Sequence, residues 1–471
     1  MRLGALTGGT EQAVVTGFAI DNRKVAPGTV FGAFQGATVN GEDFIPAAVK
    51  AGAIAVVARP EAVVEGALHI ADDNPREAFA RLAAKFFAPF PEVAVAVTGT
   101  NGKTSTVEMT RQLWRMAGFH AASIGTLGVT TSDDSVSTGL TTPDIVTFLS
   151  NVAGLAREGV THVAFEASSH GLSQYRTEGL PVRAAAFTNL SRDHLDYHGD
   201  MAAYFCAKLR LFAEVLEADG TSVVWVDDPH SERVVDLARV RGNKLITVGE
   251  HGDTLRLATR EPTLLGQRLT IMAGDQAYQV NLPLIGAYQA ANALTAAGLV
   301  IATGGSVGET LTNLARLQPV RGRLERAAIT RSGAPIYVDY AHTPDALEAA
   351  GAALKPHAEG RLILVFGAGG DRDPGKREPM GQAAAYWGDV RIVTDDNPRT
   401  EDPATIRAAI LKGCADAIEI PGRREAIAAA VDMAEAGDIV LIAGKGHEQG
   451  QIIGDLVVPF DDVAVARECA A

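Results

Sequence analysis

The chain has 471 residues and a formal net charge of -14 at pH 7, with 47% hydrophobic and 21% charged residues. This length exceeds the size at which a single hydrophobic core usually stops growing, so we expect three domains. The acidic balance argues against nucleic-acid binding, which needs a surplus of Lys and Arg on one face.

The cysteines and the N-terminus bear on the cell compartment. Cys206, Cys414 and Cys469 are far apart and form no C-x-x-C pair, which argues against a disulfide framework or a thiolate metal site. Met1 to Thr10 lacks the pattern of a signal peptide, and no apolar run approaches the ~18 residues of a membrane span. We therefore expect a cytoplasmic monomer without membrane insertion.

Apolar runs alternate with amphipathic helical patterns along the chain, which predicts an α/β fold with parallel sheets. The first region has a predicted strand at Ala53 to Ala58, a helix at Pro75 to Phe87 and a linker at Pro89 to Pro91. A second series opens with a strand at Val93 to Val97. The third has predicted strands at Ile336 to Asp339, Arg361 to Phe366, Val390 to Thr394 and Asp438 to Ala443. The predicted domains are therefore 1–90, 91–318 and 319–471.

A glycine loop between a strand and a helix predicts a phosphate site. The loop follows Val97 and consists of Gly99, Thr100, Asn101, Gly102, Lys103, Thr104 and Ser105. Backbone N–H groups at a helix start point at phosphates, Lys103 would reach the outer phosphate oxygens, and the Thr104 hydroxyl would bind Mg²⁺. The strict G-x-x-x-x-G-K-[ST] pattern wants glycine at Val97, and the alternative is an ordinary strand-to-helix turn.

Carboxylates and histidines follow the next predicted strands. Glu166 ends an apolar strand, where a sheet delivers side chains to a ligand crevice, and it is a candidate second Mg²⁺ ligand. After the strand Ala184 to Phe187 comes a loop rich in metal-ligand residues, with Asp193, His194, Asp196 and His198. Singly these are typical of solvated loops; together, beside a phosphate loop, they favour a metal role for at least one.

Five motifs appear in a fixed order: Gly99 to Thr104, Glu166 to His170, Asp193-His194, Asp339 to Pro344 and Gly444 to Glu448. In this combination the chain resembles the Mur ligase family, which adds amino acids to UDP-N-acetylmuramoyl peptides in peptidoglycan synthesis. The family's loop is similarly G-T-N-G-K-T. The resemblance implies an N-terminal UDP-muramoyl domain, a central ATPase domain with the P-loop, and a C-terminal Rossmann-like domain that binds the incoming amino acid.

The resemblance also implies the nucleotide and metal chemistry. ATP would be the co-substrate with Mg²⁺, and Lys103, His194 and Lys208 would be catalytic. A lysine similar to Lys208 is carbamylated by CO₂ in the family, which creates an anionic group for a second Mg²⁺; a bare ammonium has no acceptor. Residues similar to Asn292, Arg323 and Asp339 hold adenosine, although Gln289 stands where the family often has Asn. A role for His342 in catalysis is left open.

The UDP-muramoyl peptide would contact a segment from Ser137 to Asp144 that resembles the family's T-T-P-[DE] loop. The positions carried over for this substrate are Asn22, Thr141, Thr142, Ser168, Gln174 and Arg176. Asn22 stands where the family usually has Ser. Thr-Thr-Pro is also typical of a helix N-cap with Pro143 at the first helical position, and both interpretations are compatible.

The choice of amino acid depends on a turn after the strand Val390 to Thr394. In the family, D-N-P-R marks ligases that add meso-diaminopimelate, whose distal carboxylate suits a bidentate arginine. The positions implied for this amino acid are Arg372, Asp396, Asn397, Pro398, Arg399, Gly444 and Glu448. The expected reaction joins meso-diaminopimelate to UDP-N-acetylmuramoyl-L-alanyl-D-glutamate through an acyl phosphate, giving ADP and phosphate.

Four other functions stay open from the sequence. A lysine-adding muramyl ligase or a folylpolyglutamate synthase-like ligase would share the ATPase core. A P-loop regulatory protein would explain only the first loop. A dinucleotide oxidoreductase is suggested by Gly367, Gly369 and Gly370, but Arg372 stands where its third glycine should be.

Overall fold

The computed structural model describes residues 1–36, 39–131, 135–136, 141–263 and 266–471. The first sheet is parallel, with its strands in chain order: β1 (Gly17–Ala19), β2 (Thr29–Gly32), β3 (Ala53–Ala58) and β4 (Leu68–Ala71). Its helices are α1 (Leu3–Thr7), α2 (Ile45–Lys50) and α3 (Pro75–Phe87). The predicted strand 53–58 and helix 75–87 are confirmed.

The second sheet has eleven strands among the described residues. They are β5 (Val93–Thr98), β6 (Ala121–Gly125), β7 (Gly128–Thr130), β8 (Ser135–Val136), β9 (His162–Glu166), β10 (Val182–Phe187), β11 (Leu216–Trp225), β12 (Lys244–Gly249), β13 (Leu255–Thr263), β14 (Gly266–Ala273) and β15 (Gln276–Leu282). Their spatial order is β15-β14-β13-β12-β11-β10-β5-β9-β6-β7-β8. The strands from β13 to β6 in this order run parallel, and antiparallel strands extend both edges.

Helices cover both faces of this sheet. They are α4 (Lys103–Met116), α5 (Ile145–Arg157), α6 (Ser169–Ser173), α7 (Leu195–His198), α8 (Met201–Arg210), α9 (Ser231–Arg241), α10 (Ala287–Ala302) and α11 (Val307–Asn313). Strand β5 shows why both faces need cover: Ala94 and Ala96 belong to one hydrophobic cluster, and Val95 and Val97 to the other. Successive side chains of a strand point to opposite faces, so an all-apolar strand must be buried on both.

The third sheet has the order β16-β17-β21-β18-β19-β20. Its strands are β16 (Glu325–Ile329), β17 (Pro335–Asp339), β18 (Leu362–Phe366), β19 (Val390–Val393), β20 (Ile418–Glu419) and β21 (Ile439–Ala443), and a hairpin follows with β22 (Gly450–Ile453) and β23 (Leu456–Pro459). The helices are α12 (Pro344–Leu354), α13 (Arg377–Trp387), α14 (Pro403–Leu411), α15 (Arg423–Met433) and α16 (Asp462–Ala470).

The α/β class and the strands predicted after residue 90 are confirmed, with ends that differ by one or two residues. The first, second and third sheets lie within residues 1–90, 91–318 and 319–471, respectively. The domain boundaries at 90 and 318 stay predictions. Among the described helices, none combines the length and apolar character that crossing a membrane requires. Parallel strands deliver the loops at their carboxyl ends to one side of a sheet, and the candidate site lies there.

Candidate functional site

The glycine loop joins β5 to α4, as predicted. Gly99 and Gly102 have φ angles of 146° and 84°, which L side chains rarely adopt. A Cβ on Gly102 would lie 2.3 Å from Oδ1 of Asn292, so only glycine lets α10 approach the loop. The Lys103 ammonium folds back onto the loop and donates to the carbonyl oxygens of Gly99 at 2.9 Å and Thr100 at 2.7 Å.

Lys208 lies beneath the same loop. Its side chain is 1% exposed, and Nζ donates to the Gly99 carbonyl oxygen at 2.7 Å. Burial, together with the charge of Lys103, lowers the pKa of Lys208 well below its usual value. Burial also lowers the pKa of Lys103, against the opposing effect of Glu166 and Asp193. The site therefore contains a lysine amine that is easily deprotonated.

Glu166 ends β9 with its carboxylate buried. Thr126, at the end of the neighbouring strand β6, engages both of its oxygens: the backbone N–H donates to Oε1 at 2.7 Å and the hydroxyl donates to Oε2 at 3.2 Å. The Thr126 hydroxyl is also 3.0 Å from the hydroxyl of Thr141. Sequence reasoning missed Thr126, although a Gly-Thr pair directly after a buried strand is a usable signal.

His194 caps α7 with a φ angle of 53°, and its Nε2 lies 3.4 Å from Oδ2 of Asp193. Burial lowers the pKa of His194, which favours the neutral imidazole that can bind a metal. Within the described residues, no three His, Cys, Asp or Glu side chains come together as a metal-binding group. The loop 193–198 is therefore not a self-contained metal cage.

A cavity of about 370 Å³ lies between the carboxyl ends of the second and third sheets. Most predicted nucleotide and metal residues line it: Thr100, Asn101, Gly102, Lys103, Thr104, Ser105, Glu166, His194, Asn292, Arg323 and Asp339. Gly99 and Lys208 lie behind this lining. Tyr288, Tyr340 and His342 also line the cavity and supply aromatic surface.

Arg323 connects the two sheets across this cavity. Its Nη2 donates to the Thr104 hydroxyl at 3.2 Å, and its guanidinium lies 4.6 Å from the centre of the Tyr340 ring. Asp339 accepts a hydrogen bond from the Leu324 N–H at 2.7 Å, and burial raises the pKa of Asp339 to about 6. Gln289, the departure from the family pattern, donates to the Arg323 carbonyl oxygen at 3.0 Å.

A second group of predicted residues lies around α6. Ser168 caps this helix by accepting from the Gly171 N–H, and Arg176 donates to the Thr142 carbonyl oxygen at 2.9 Å and to Oε1 of Gln174 at 2.7 Å. Asn22 is placed apart, in a short 3₁₀ helix after β1.

The predicted cap of α5 needs a correction. Asp144, not a threonine, caps the helix by accepting from the N–H groups of Val146 and Thr147, so Pro143 precedes the cap and is not the first helical residue. Asp144 is the better cap because its carboxylate accepts hydrogen bonds from two N–H groups at the helix start. The part of the predicted substrate loop at 137–140 lies outside the described residues.

The predicted amino-acid residues meet at the carboxyl ends of β19 and β21. Arg399 has a φ angle of 52°, and its Nη1 donates to the Gly370 carbonyl oxygen at 2.7 Å. Asn397 donates to Oε2 of Glu448 at 2.8 Å. The buried Oδ2 of Asp396 has no hydrogen-bond partner among the described residues, and a Cβ on Gly444 would lie 2.5 Å from it. Arg372 is exposed on the adjacent loop, and Pro398 lies inside the turn.

The glycine loop between a buried parallel strand and a helix, with Glu166 at the end of the adjacent strand, defines a P-loop nucleotide-binding protein. Family models match three stretches: residues 14–87 as "Mur ligase family, catalytic domain", 97–300 as "Mur ligase middle domain" and 322–446 as "Mur ligase, glutamate ligase domain". The chain belongs to the Mur ligase family. The prediction of an ATP-dependent ligase is thereby confirmed.

Individual relatives agree with the family models. The UDP-N-acetylmuramoyl-L-alanyl-D-glutamate--2,6-diaminopimelate ligase of Zymomonas mobilis is 60% identical over 458 residues, which cover 96% of this chain and 94% of that protein. The ligase of the same name from Caulobacter vibrioides is 48% identical, with 96% and 94% covered. A solved structure of a ligase with this name has 33% identity and a TM-score of 0.74, with 100% and 98% covered. The MurF ligase of Thermotoga maritima with ADP shares the fold at 19% identity and a TM-score of 0.65, with 98% of each chain covered.

Proposed function

We propose that this chain joins meso-2,6-diaminopimelate to UDP-N-acetylmuramoyl-L-alanyl-D-glutamate in peptidoglycan precursor synthesis, with ATP converted to ADP and phosphate. The proposal rests on the Asp396 to Arg399 turn, which faces the same edge of the third sheet as the nucleotide residue Asp339. The names of the similar ligases support this substrate pair.

ATP would lie in the cavity between the sheets. Its phosphates would meet the N–H groups from Gly99 to Ser105 and the Lys103 ammonium, while Asn292, Arg323 and Asp339 would contact the nucleoside. Residues 1–90 would hold the UDP end of the muramoyl substrate, 91–318 the ATPase machinery and 319–471 the amino acid.

The oxygen donors fit magnesium. Mg²⁺ prefers oxygen ligands and usually keeps several waters, so it needs only one or two side chains plus substrate phosphates. Thr104 and Glu166 line the cavity and supply such oxygens, with His194 beside them. When bound, the ion would neutralise phosphate charge and so reduce its repulsion with the attacking carboxylate.

Lys208 fits the proposed carbamate. Only an unprotonated amine attacks CO₂; the new N–C bond forms as the nitrogen loses a proton, and the product is anionic. The lowered pKa of Lys208 favours that neutral amine, and its position beside Lys103 would place the anion next to a cation. The carbamate would give this buried position the oxygen donors for a second Mg²⁺.

The chemistry proceeds in two displacements. A carboxylate oxygen of the muramoyl dipeptide attacks the γ-phosphorus, the bond to the bridging oxygen of ADP breaks, and an acyl phosphate forms. The neutral amine of diaminopimelate then attacks the acyl carbon, phosphate leaves and a proton is lost from nitrogen. Lys103 would donate to the oxygens on which charge accumulates in both steps.

The two other substrates would approach from opposite sides. Thr141, Thr142, Ser168, Gln174 and Arg176 would hold the muramoyl peptide, with Asn22 at its uridine end. Arg372, Asp396, Asn397, Pro398, Arg399, Gly444 and Glu448 would hold diaminopimelate. Arg399 would pair with the distal carboxylate, which lysine lacks.

The test is phosphate release from ATP with the muramoyl dipeptide and either meso-diaminopimelate or L-lysine. We expect turnover with diaminopimelate, and Arg399→Ala should reduce its kcat/KM by about 100-fold or more because the distal carboxylate would lose its charged partner. Arg424→Ala, which removes an exposed ion pair with Glu468 in the same region, is the matched control. No ADP from the wild type would refute the ligase reaction, and a preference for lysine would refute the substrate assignment.

A further inference from the structure

Lys445 is a fully buried lysine next to the proposed amino-acid site. It follows β21, its side chain is 0% exposed, and its ammonium donates to Oδ1 of Asn397 at 2.9 Å and to Oε2 of Glu448 at 3.1 Å. Because Asn397 also donates to the same Glu448 oxygen, the three side chains form a closed triangle. Lys445 thus connects two residues that lie 51 positions apart in the chain.

This triangle fixes how Glu448 faces the site. Oε2 of Glu448 accepts hydrogen bonds from both Lys445 and Asn397, whereas Oε1 accepts none in the described part of the chain. A buried ammonium balances the carboxylate charge at this point. One oxygen of Glu448 therefore remains available for a substrate ammonium in a fixed direction.

The strand β22 holds the rest of the turn. Gln451 donates from Nε2 to the Asp396 carbonyl oxygen at 2.6 Å, and the Ile452 N–H donates to Oδ1 of Asn397 at 2.9 Å. The Arg399 N–H donates to the Ile452 carbonyl oxygen at 3.0 Å, and the Gly454 N–H donates to the Arg399 carbonyl oxygen at 2.7 Å.

These contacts matter most for Arg399. Its left-handed backbone is one that L side chains rarely adopt, so surrounding contacts must impose it. The hydrogen bonds that Arg399 makes with Ile452 in β22 and with Gly454 just after β22 impose it here. The direction of the guanidinium therefore depends on residues that do not reach it themselves.

We propose that Lys445 and Gln451 are positioning residues for amino-acid specificity: they hold Asn397, Glu448 and the Asp396 to Arg399 turn in the arrangement that accepts a diamino dicarboxylic acid. This inference rests on the proposed function and adds the residues that orient its specificity site. Neither residue lines the cavity proposed for ATP, so we expect both to affect the binding of diaminopimelate and not the binding of ATP.

The first test compares Lys445→Met with Lys412→Met in the full-length enzyme. Lys412 is exposed at the end of α14, so its substitution should leave all constants unchanged. For Lys445→Met we expect KM for diaminopimelate to rise by about 10- to 100-fold, by analogy with the loss of residues that orient metal ligands. KM for ATP should stay within about twofold, since the nucleotide contacts are intact.

The second test uses Gln451→Leu, because Gln451 is only half-buried and its loss does not leave an unpaired charge in the core. We expect the ratio of kcat/KM for diaminopimelate to that for L-lysine to fall, since only diaminopimelate depends on the orientation of Arg399. A parallel rise in KM for ATP and diaminopimelate in both variants would indicate general destabilisation and overturn the inference.

The two proposals fail in different ways. A wild-type enzyme that forms no ADP with diaminopimelate overturns the proposed function and is recognised without any variant. A wild type that uses diaminopimelate while both variants keep its KM and its preference over lysine overturns only the positioning role.

Discussion

Lys208 shows how a single residue acquires chemistry from its surroundings. In sequence it resembles a lysine on a helix surface, but folding buries it under the glycine loop, and burial lowers its pKa. The motif resemblance predicted the proposed carbamate, whereas the cause of the lowered pKa appears only in the packing of α8 against the loop.

Removing this amine should abolish activity. We expect Lys208→Ala to reduce kcat by about 100-fold or more, because the anionic group proposed to hold the second Mg²⁺ is lost. A short carboxylic acid such as acetate should restore part of the activity by occupying the vacated space. Lys244→Ala, at an exposed position in β12, is the control. An active Lys208→Ala enzyme would contradict the proposed role.

Asp339 should make ATP binding depend on pH. Its pKa is raised to about 6 by burial, so the carboxylate is ionised above that pH and protonated below it. The ionised form accepts hydrogen bonds from both oxygens, so ATP affinity should weaken as the pH falls through about 6.

Calorimetric titration of the wild type and Asp339→Asn with ATP from pH 5 to 8 checks this. ATP itself titrates in this range, so the difference between the two proteins at each pH is the informative quantity. We expect the difference to shrink as the pH falls, and a constant difference would exclude Asp339 as the titrating group. His447, whose pKa is lowered to about 3 by burial, stays neutral throughout.

At the scale of single residues, sequence patterns pointed to the groups that we propose carry the chemistry, but not to the residues that orient them. Glu166 and Arg399 were predicted because each follows a strand in a recognisable motif. Thr126 and Lys445 were missed as positioning residues, because their partners lie 40 and 48 positions away and only folding brings them together.

At the scale of elements, the close approach of β6 and β9 requires glycine beside the Glu166 carboxylate. A Cβ on Gly125, the last residue of β6, would lie 2.2 Å from Oε1 of Glu166. Either the carboxylate or the strand end must move to admit a methyl group. The position of the Glu166 carboxylate, which we propose as a Mg²⁺ ligand, therefore depends on a residue without a reactive side chain.

Gly125→Ala should lower kcat by about tenfold or more and raise the Mg²⁺ concentration needed for half-maximal rate, as expected when a ligand is misdirected. Gly154→Ala is the matched control, because a Cβ there meets nothing within 4 Å and alanine stabilises a helix by about 1 kcal/mol relative to glycine. Magnesium titration of the phosphate-release rate measures both. An unchanged Mg²⁺ requirement in Gly125→Ala would show that Glu166 does not need this space.

Strands that are buried on both faces were the easiest elements to predict. The runs at 93–97, 362–366 and 439–443 are continuously apolar, which distinguishes them from amphipathic helices. The antiparallel extension from β13 to β15 was not predicted, because strand β13 is mostly exposed and lacks that continuous run. Its position depends on pairing with β12 instead.

For the whole molecule, the cavity that we propose for ATP is lined by segments on both sides of residue 318. ATP should therefore slow hydrogen exchange both in the loop 99–104 and in the segment 323–339. At 100 times its Kd, a ligand stabilises the bound form by about 2.7 kcal/mol, which is measurable by exchange and mass spectrometry. Protection confined to 99–104 would contradict a nucleotide site shared between the two sheets.

The order of the three α/β regions was predicted from the order of the motifs more than from local sequence patterns. Alternating strands and helices predicted three α/β regions, and the family resemblance gave their order. The cavity between the second and third sheets was not deducible from strand patterns alone, because Arg323 and Thr104 are 219 positions apart.

The hairpin from Gly450 to Pro459 contacts the Arg399 turn with one set of atoms and exposes a different set to solvent. It holds the Arg399 turn through main-chain atoms and Gln451, while Leu456 and Val457 stand 70% and 68% exposed on its outer strand. Apolar side chains exposed in this way promote self-association in concentrated solutions. Protein engineers can therefore exchange these two residues for polar ones to improve solubility and crystallisation. The hydrogen bonds that hold the Arg399 turn would remain, because they involve other atoms of the hairpin.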